Sequence, residues 1–340
     1  MSEKLRTVLV DRRKDGIYDE CTLVTLVDAH YSLVIMSEIQ DAFMTRRRMK
    51  RKLILVGVAV ALTMLVGFVC FLKAPLETEK KRVAAMAKFA ESRAEAWKNP
   101  AGSRAGEKRV FEIAEGVKLT MCWIPAGEFV MGSSKDSDET PHPVKLTQGF
   151  WLSQTEVTQA QWRALMGNDP SHFKGDDLPV ESVSWNDICG NEARTGGFLC
   201  KLNQLQPEGG RFDLPTEAQW EYAARAGNTG DDDGELGAKA WYSENSDSKT
   251  HPVGQKQSNA WGLNDMHGNV WEWCVDWNED YPTSAATDPS GPASGSYRVL
   301  RCGSWGDGAY YCRVAVRNYN DPSNTNGAIG FRVARSSVPQ

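Results

Sequence analysis

Histidine is scarce in this chain. There are five in 340 residues, His30, His142, His172, His251 and His267, and no two stand at the spacing of a local metal site. That argues against an iron or zinc centre built on clustered imidazoles. A basic excess is missing from the C-terminal two-thirds: residues 106–340 carry 20 Lys+Arg against 32 Asp+Glu, a net of −12. A surface of that sign repels phosphate backbones, so nucleic acid is not the expected partner. Long apolar runs are absent with one exception, Leu53 to Leu72, twenty residues without a charge.

A helix of that length spans roughly 30 Å of hydrocarbon. A buried core helix rarely stays apolar on every face for so long, and a cleaved leader has a shorter apolar region nearer the N-terminus. Arg46, Arg47, Arg48, Lys50, Arg51 and Lys52 precede the run, whereas Lys73 alone follows closely. Basic residues resist translocation, so the pattern predicts a single-pass membrane protein with its N-terminus cytoplasmic. Lys80, Lys81 and Arg82 weaken that asymmetry without reversing it. The expected organisation is a cytoplasmic segment at 1–52, a transmembrane helix at 53–72, a stalk or linker helix within 73–105 and an extracytoplasmic domain at 106–340. Residues 76–98, rich in Ala, Glu, Lys and Arg, read as the stalk, with Pro100, Gly102 and Gly106 ending it.

Inside the domain, three capping boxes mark helix starts: Thr158 with Gln161, Ser184 with Asp187, and Thr216 with Gln219. The first helix runs to Gly167, the second through Leu202 and the third to Gly227. Strands are expected at Trp123–Met131 and Phe150–Thr155, with short apolar pieces at Tyr297–Arg301 and Gly330–Ala334. The last hundred residues are dense in Gly, Asn, Asp and Ser. The class is α+β with much irregular surface, the kind of surface on which sites are built.

Several blocks then occur in a fixed order: Ile124-Pro-Ala-Gly-Glu-Phe129, Met131-Gly-Ser133, Thr155-Glu-Val-Thr158, Pro179-Val-Glu-Ser-Val-Ser-Trp185, Leu214-Pro-Thr-Glu-Ala-Gln-Trp-Glu221, Gly268-Asn-Val-Trp-Glu-Trp273, Gly303-Ser-Trp305 and Ile329-Gly-Phe-Arg332. They resemble the sulfatase-modifying-factor family, which includes the formylglycine-generating enzymes. The resemblance implies a C-type-lectin-like fold, and it leaves function open because the family's activities differ.

Formylglycine generation oxidises a sulfatase cysteine with oxygen and a copper ion held by two thiolates, soft donors that suit Cu(I). In the family these stand second and seventh after the aromatic residue of Gly-Ser-aromatic. Here the second is Asp307 and the seventh is Cys312. Cys302 lies near, in place of a family glycine. A copper pair of Cys302 and Cys312 and a disulfide between them are both open readings, the disulfide being the ordinary one outside the cytoplasm. The six cysteines of the domain, Cys122, Cys189, Cys200, Cys274, Cys302 and Cys312, allow 15 pairings. Sulfoxide synthesis, the family's iron-dependent chemistry, needs a histidine triad on a partner domain that the sequence lacks.

The third activity is ligand binding. Gly303 to Phe331 resembles the variable segment of diversity-generating-retroelement proteins, in which adenines of Asn codons are randomised. That process cannot yield Lys, Glu, Gln, Met or Trp, and residues 306–328 contain none of them. Gly306, Asp307, Gly308, Tyr310, Tyr311, Val316, Tyr319, Asp321, Thr325, Gly327 and Ala328 all fall in the reachable set. Tyrosines among small polar residues are also the composition of paratopes, with rigid contact area at low entropy cost. The candidate ligand-binding residues are Trp305, Asp307, Tyr310, Tyr311, Tyr319, Asp321, Asn324 and Thr325, for a protein or peptide ligand. A structural envelope scaffold is a further reading. Finally, the family's second calcium site implies Asp265 and Glu272 as carboxylate ligands, with Gly268 and Val270 giving carbonyls to a structural Ca²⁺.

Overall fold

The computed structural model describes residues 80–81, 101–190, 195–205, 210–231 and 235–336. The chain divides into two compact units, Met1–Ala85 and Met86–Gln340. In the first, Lys80 and Lys81 are helical and exposed. The segments 1–52 and 53–72 and most of the proposed stalk lie outside the described residues, among which no helix is long and apolar enough to cross a membrane.

The second unit is α+β, as the pattern predicts. Its largest sheet has five strands in the order β1 (Lys108–Ala114), β2 (Val117–Ile124), β5 (Phe150–Ser153), β12 (Ala334–Ser336) and β6 (Phe212–Asp213). β2 and β5 are central. The last four residues of β2 are all buried, as are all four of β5, which is what covering on both faces demands of a strand. A second sheet runs β10 (Arg317–Asn320), β9 (Arg298–Arg301), β7 (Trp271–Trp277) and β11 (Ile329–Gly330). β3 (Gly127–Met131), β4 (His142–Leu146) and β8 (Ala286–Thr287) form a third.

All three capping boxes are present. Thr158, Ser184 and Thr216 each accept from the amide three residues on, and Gln161, Asp187 and Gln219 reach back. They open α1 (Gln159–Met166), α2 (Trp185–Cys189) and α4 (Glu217–Arg225). Gly167 ends α1 in the left-handed region. The single long second helix is corrected: α2 stops at Gly190, and α3 (Phe198–Gln204) begins anew. Gly190 sits at φ 85°, ψ −169°, and a Cβ there would stand 2.4 Å from the Thr195 carbonyl. No helix continues through that backbone. The expected strand Trp123–Met131 is likewise two strands, parted at Pro125, which has no N–H for a ladder. The short α5 (Leu236–Lys239) was not foreseen.

The core holds aromatic and charged residues together. Trp151, Trp220 and Trp273 are fully buried, and so are Arg301 and Arg332. These arginines are matched by buried carboxylates on α4 and β7, and that pairing shapes the site.

Candidate functional site

Residues 302–312 follow β9 and turn through Gly303 into a 3-10 turn at Ala309–Cys312. Cys302 holds φ 99°, a conformation that favours glycine, which accounts for the family glycine it replaces. Its thiol is buried and built into the backbone. Sγ accepts from Gly268 N–H at 3.0 Å and lies 3.1 Å from Asp265 O and 3.2 Å from Gly268 O. Burial, then the charges of Glu272 and Glu156, push this thiol well above its usual range. Cys312 is also fully buried, and burial with the Asp307 charge pushes it up to about 12. Both are free thiols, as are the other four cysteines of the domain, so of the two open readings the disulfide is not the one seen here.

Asp307, in place of the first thiolate, is fixed rather than adventitious. Its Oδ2 accepts from Ser304 Oγ at 2.5 Å and Trp271 Nε1 at 2.8 Å, and its backbone O accepts from Ser243 N–H at 2.9 Å. A hard carboxylate occupied by two donors, beside two protonated buried sulfurs, does not fit a two-thiolate copper site.

The two carboxylates that the resemblance implies for calcium have partners within the chain. Arg332 donates to Glu272 through Nε at 2.6 Å and Nη2 at 2.7 Å, and Trp220 Nε1 adds 2.6 Å. Both Glu272 oxygens are taken, by a cation that belongs to the chain. Asp265 Oδ2 accepts from Gly254 N–H at 2.6 Å, while the carbonyls of Asp265 and Gly268 face the Cys302 thiol. Val270 is fully buried. In this structure a guanidinium supplies the positive charge that Glu272 would otherwise find in an ion. Asp265 and Glu156 are buried beside each other, and burial raises both carboxyls.

The expected ligand-binding residues divide in two. Tyr310, Tyr311 and Tyr319 are 46%, 50% and 50% exposed. Asp321 and Thr325 are exposed too, although Asp321 Oδ1 also caps a turn at Ser323. Trp305, Asp307 and Asn324 are only partly exposed. Trp305 donates to Gly327 O at 3.0 Å and packs edge-on to Phe173, so its role is to hold the segment. Of the eleven positions in the mutable set, only Val316 is buried. Between and after them, Cys312, Arg313, Val314, Ala315 and Ile329–Arg332 are buried. Arg313 anchors the turn through Glu139 at 2.8 Å and through Asp231.

Residues 108–337 match the sulfatase-modifying factor enzyme 1-like domain. The chain belongs to that family. A formylglycine-generating enzyme of Streptomyces coelicolor is 30% identical over 278 residues, which cover 63% of this chain and 88% of that protein. The chaperone protein LppX of Paenibacillus barcinonensis is 29% identical over 263 residues, with the same coverage of 63% and 88%. Among solved structures, Treponema denticola variable protein 1 is 36% identical, with TM-score 0.58, over 67% of this chain and 98% of its own. This sulfatase-modifying-factor domain is therefore similar to an enzyme, a chaperone and a variable protein alike.

Sequence reasoning missed two neighbours of the tyrosines. Tyr297, 47% exposed, packs on Tyr319 with ring centroids 5.3 Å apart. Asp136 accepts from Tyr310 Oη at 3.0 Å. The Tyr297 contact follows from the pairing of β9 with β10, which no local pattern displays; Asp136 lies 174 residues from Tyr310.

Proposed function

We propose that residues 106–340 form a ligand-binding module that engages a protein or peptide through the face bearing Tyr297, Tyr310, Tyr311 and Tyr319. The observation that carries this reading is the division of the 306–328 segment: exposed tyrosines and small polar residues stand over buried anchors. A rigid frame with changeable surface positions is the physics of a paratope, where side chains vary without unfolding the scaffold. Similarity to a variable protein over nearly its full length supports the same reading. The apolar run Leu53–Leu72, with its basic flank, would hold the module on a membrane with this face outside the cytoplasm.

Formylglycine generation is the competing reading, and the donor set at 302, 307 and 312 argues against it. The test has two arms on the full chain. A peptide carrying Cys-x-Pro-x-Arg, incubated with copper and oxygen, should show no conversion to formylglycine by mass spectrometry. Peptides selected from a random library should protect amides at 309–312 and 317–320 from hydrogen exchange. Conversion of the cysteine, or protection confined to other surfaces, overturns the proposal.

A further inference from the structure

Beside the tyrosine face lies a cleft of about 80 Å³ whose lining includes Glu217, Asp276, Trp277, Glu279, Asp280 and Arg317. Its charges are unevenly spent. Glu217 receives Arg301 at 2.7 Å, Arg317 at 2.8 Å and the Tyr281 hydroxyl at 2.8 Å. Arg301 turns its other nitrogen to Glu221, which also pairs with Arg225. Asp276 has none of this. It is 5% exposed, Oδ2 accepts from Glu217 N–H at 2.8 Å, and no salt bridge reaches it among the described residues. Glu279 and Asp280 stand exposed at the rim.

We propose that this cleft seats the ammonium of a lysine side chain from the bound partner, with the Asp276 carboxylate as its counter-charge. Three observations favour a lysine. A buried carboxyl without a salt bridge, held only in the longer-range field of Arg317, gains most from a cation that arrives. Burial and the charge of Glu217 already push it up to about 8, so an incoming cation, by favouring the ionised form, relieves a cost that the free domain carries. One oxygen of Asp276 is committed to an amide, so the two-oxygen edge that a guanidinium fork prefers is lost, whereas a compact ammonium needs one oxygen. One face of each nearby aromatic ring is taken by a guanidinium, Trp277 by Arg298 at 3.4 Å and Tyr281 by Arg317 at 3.9 Å.

The cleft is continuous with the tyrosine face. Arg317, which lines it, stands two residues before Tyr319 on β10 and donates to the backbone O of Glu279 at 2.9 Å and of Asp138 at 3.4 Å. Asp138 shares its 3-10 turn with the cap Asp136, the acceptor for Tyr310. The net of −12 on residues 106–340 draws basic partners toward it.

The identity of the partner rests on the binding reading above, but the cleft can be tested without it. The probe is Nα-acetyl-lysine methylamide at pH 8.5 with the full chain, read by saturation-transfer NMR. Saturation of the ε-methylene should exceed that of the norleucine analogue at least fivefold and exceed that of the arginine analogue. Asp276→Asn, which keeps an acceptor for Glu217 N–H, should reduce it to the norleucine level. If that variant does not fold, Glu279→Gln with Asp280→Asn, both at the exposed rim, should lower it at least twofold. Equal signals for lysine and norleucine, arginine at or above lysine, or undiminished signals in the variants that fold overturn the proposal. Absence of lysine binding, with library peptides still dependent on the tyrosines, removes the cleft and leaves the binding face standing.

Discussion

Glu272 and Arg332 are both fully buried, and each depends on the other's charge. Removing one partner of such a pair costs about 3–5 kcal/mol because the survivor is stranded. Arg332→Met should therefore lower the melting temperature sharply by calorimetry. Added calcium should not restore it, since the Asp265 and Gly268 carbonyls stay turned to the Cys302 thiol. Full rescue by calcium would mean that an ion can take the place of the arginine. The thiols make a second prediction at this scale. Cys302 and Cys312 are buried, free and held protonated, so a thiol-alkylating reagent should leave them unmodified in the native protein and label both after denaturation. Reductant should not change the melting temperature. A loss of stability on reduction would reveal a disulfide.

At the scale of elements, the first helical residue of α4 contributes acid sensitivity. Burial raises the Glu217 carboxyl, but Arg317 and Arg301 overcome this and bring it down to about 2 from 4.5. A depressed carboxyl stabilises the fold fully above its unfolded value and loses that stabilisation as pH falls toward the folded one. The loss should occupy pH 4.5 to 2, and Glu217→Gln should lower stability at neutral pH while flattening that limb. Asp276 has the opposite sign. Its folded value of about 8 against 3.8 means a penalty that is absent in acid and grows as pH rises between them. Asp276→Asn should raise stability at pH 9 more than at pH 4 in urea titrations. Equal effects at both would show that Asp276 titrates normally.

The helix starts were legible because a capping box is a local device, spelled within four residues. The break at Gly190 was not, since a glycine in a helical pattern becomes a stop only when Thr195 packs against its open side. Asp276 was equally silent in the sequence. Its state depends on arginines from β9 and β10 being committed to Glu217, a fact of pairing between strands.

For the whole molecule, the ordered blocks led to the family because their Trp, Arg and Glu residues form one interior. Trp220, Glu272 and Arg332 come from three blocks and meet at bonded distance. The missing thiolate was legible for the opposite reason, because one position with a fixed chemical role needs no fold to be judged. What occupies Asp307 became clear only when Ser304 and Trp271 closed on it. The surface above that interior carries the exposed tyrosines, and the proposed binding resides there. The most direct test measures the affinity of library-selected peptides for the full chain and for a variant with Tyr310, Tyr311 and Tyr319 each changed to Ala. Since these side chains are about half exposed, the variant should keep its melting temperature and bind at least tenfold more weakly. Undiminished affinity in a folded variant would contradict the account.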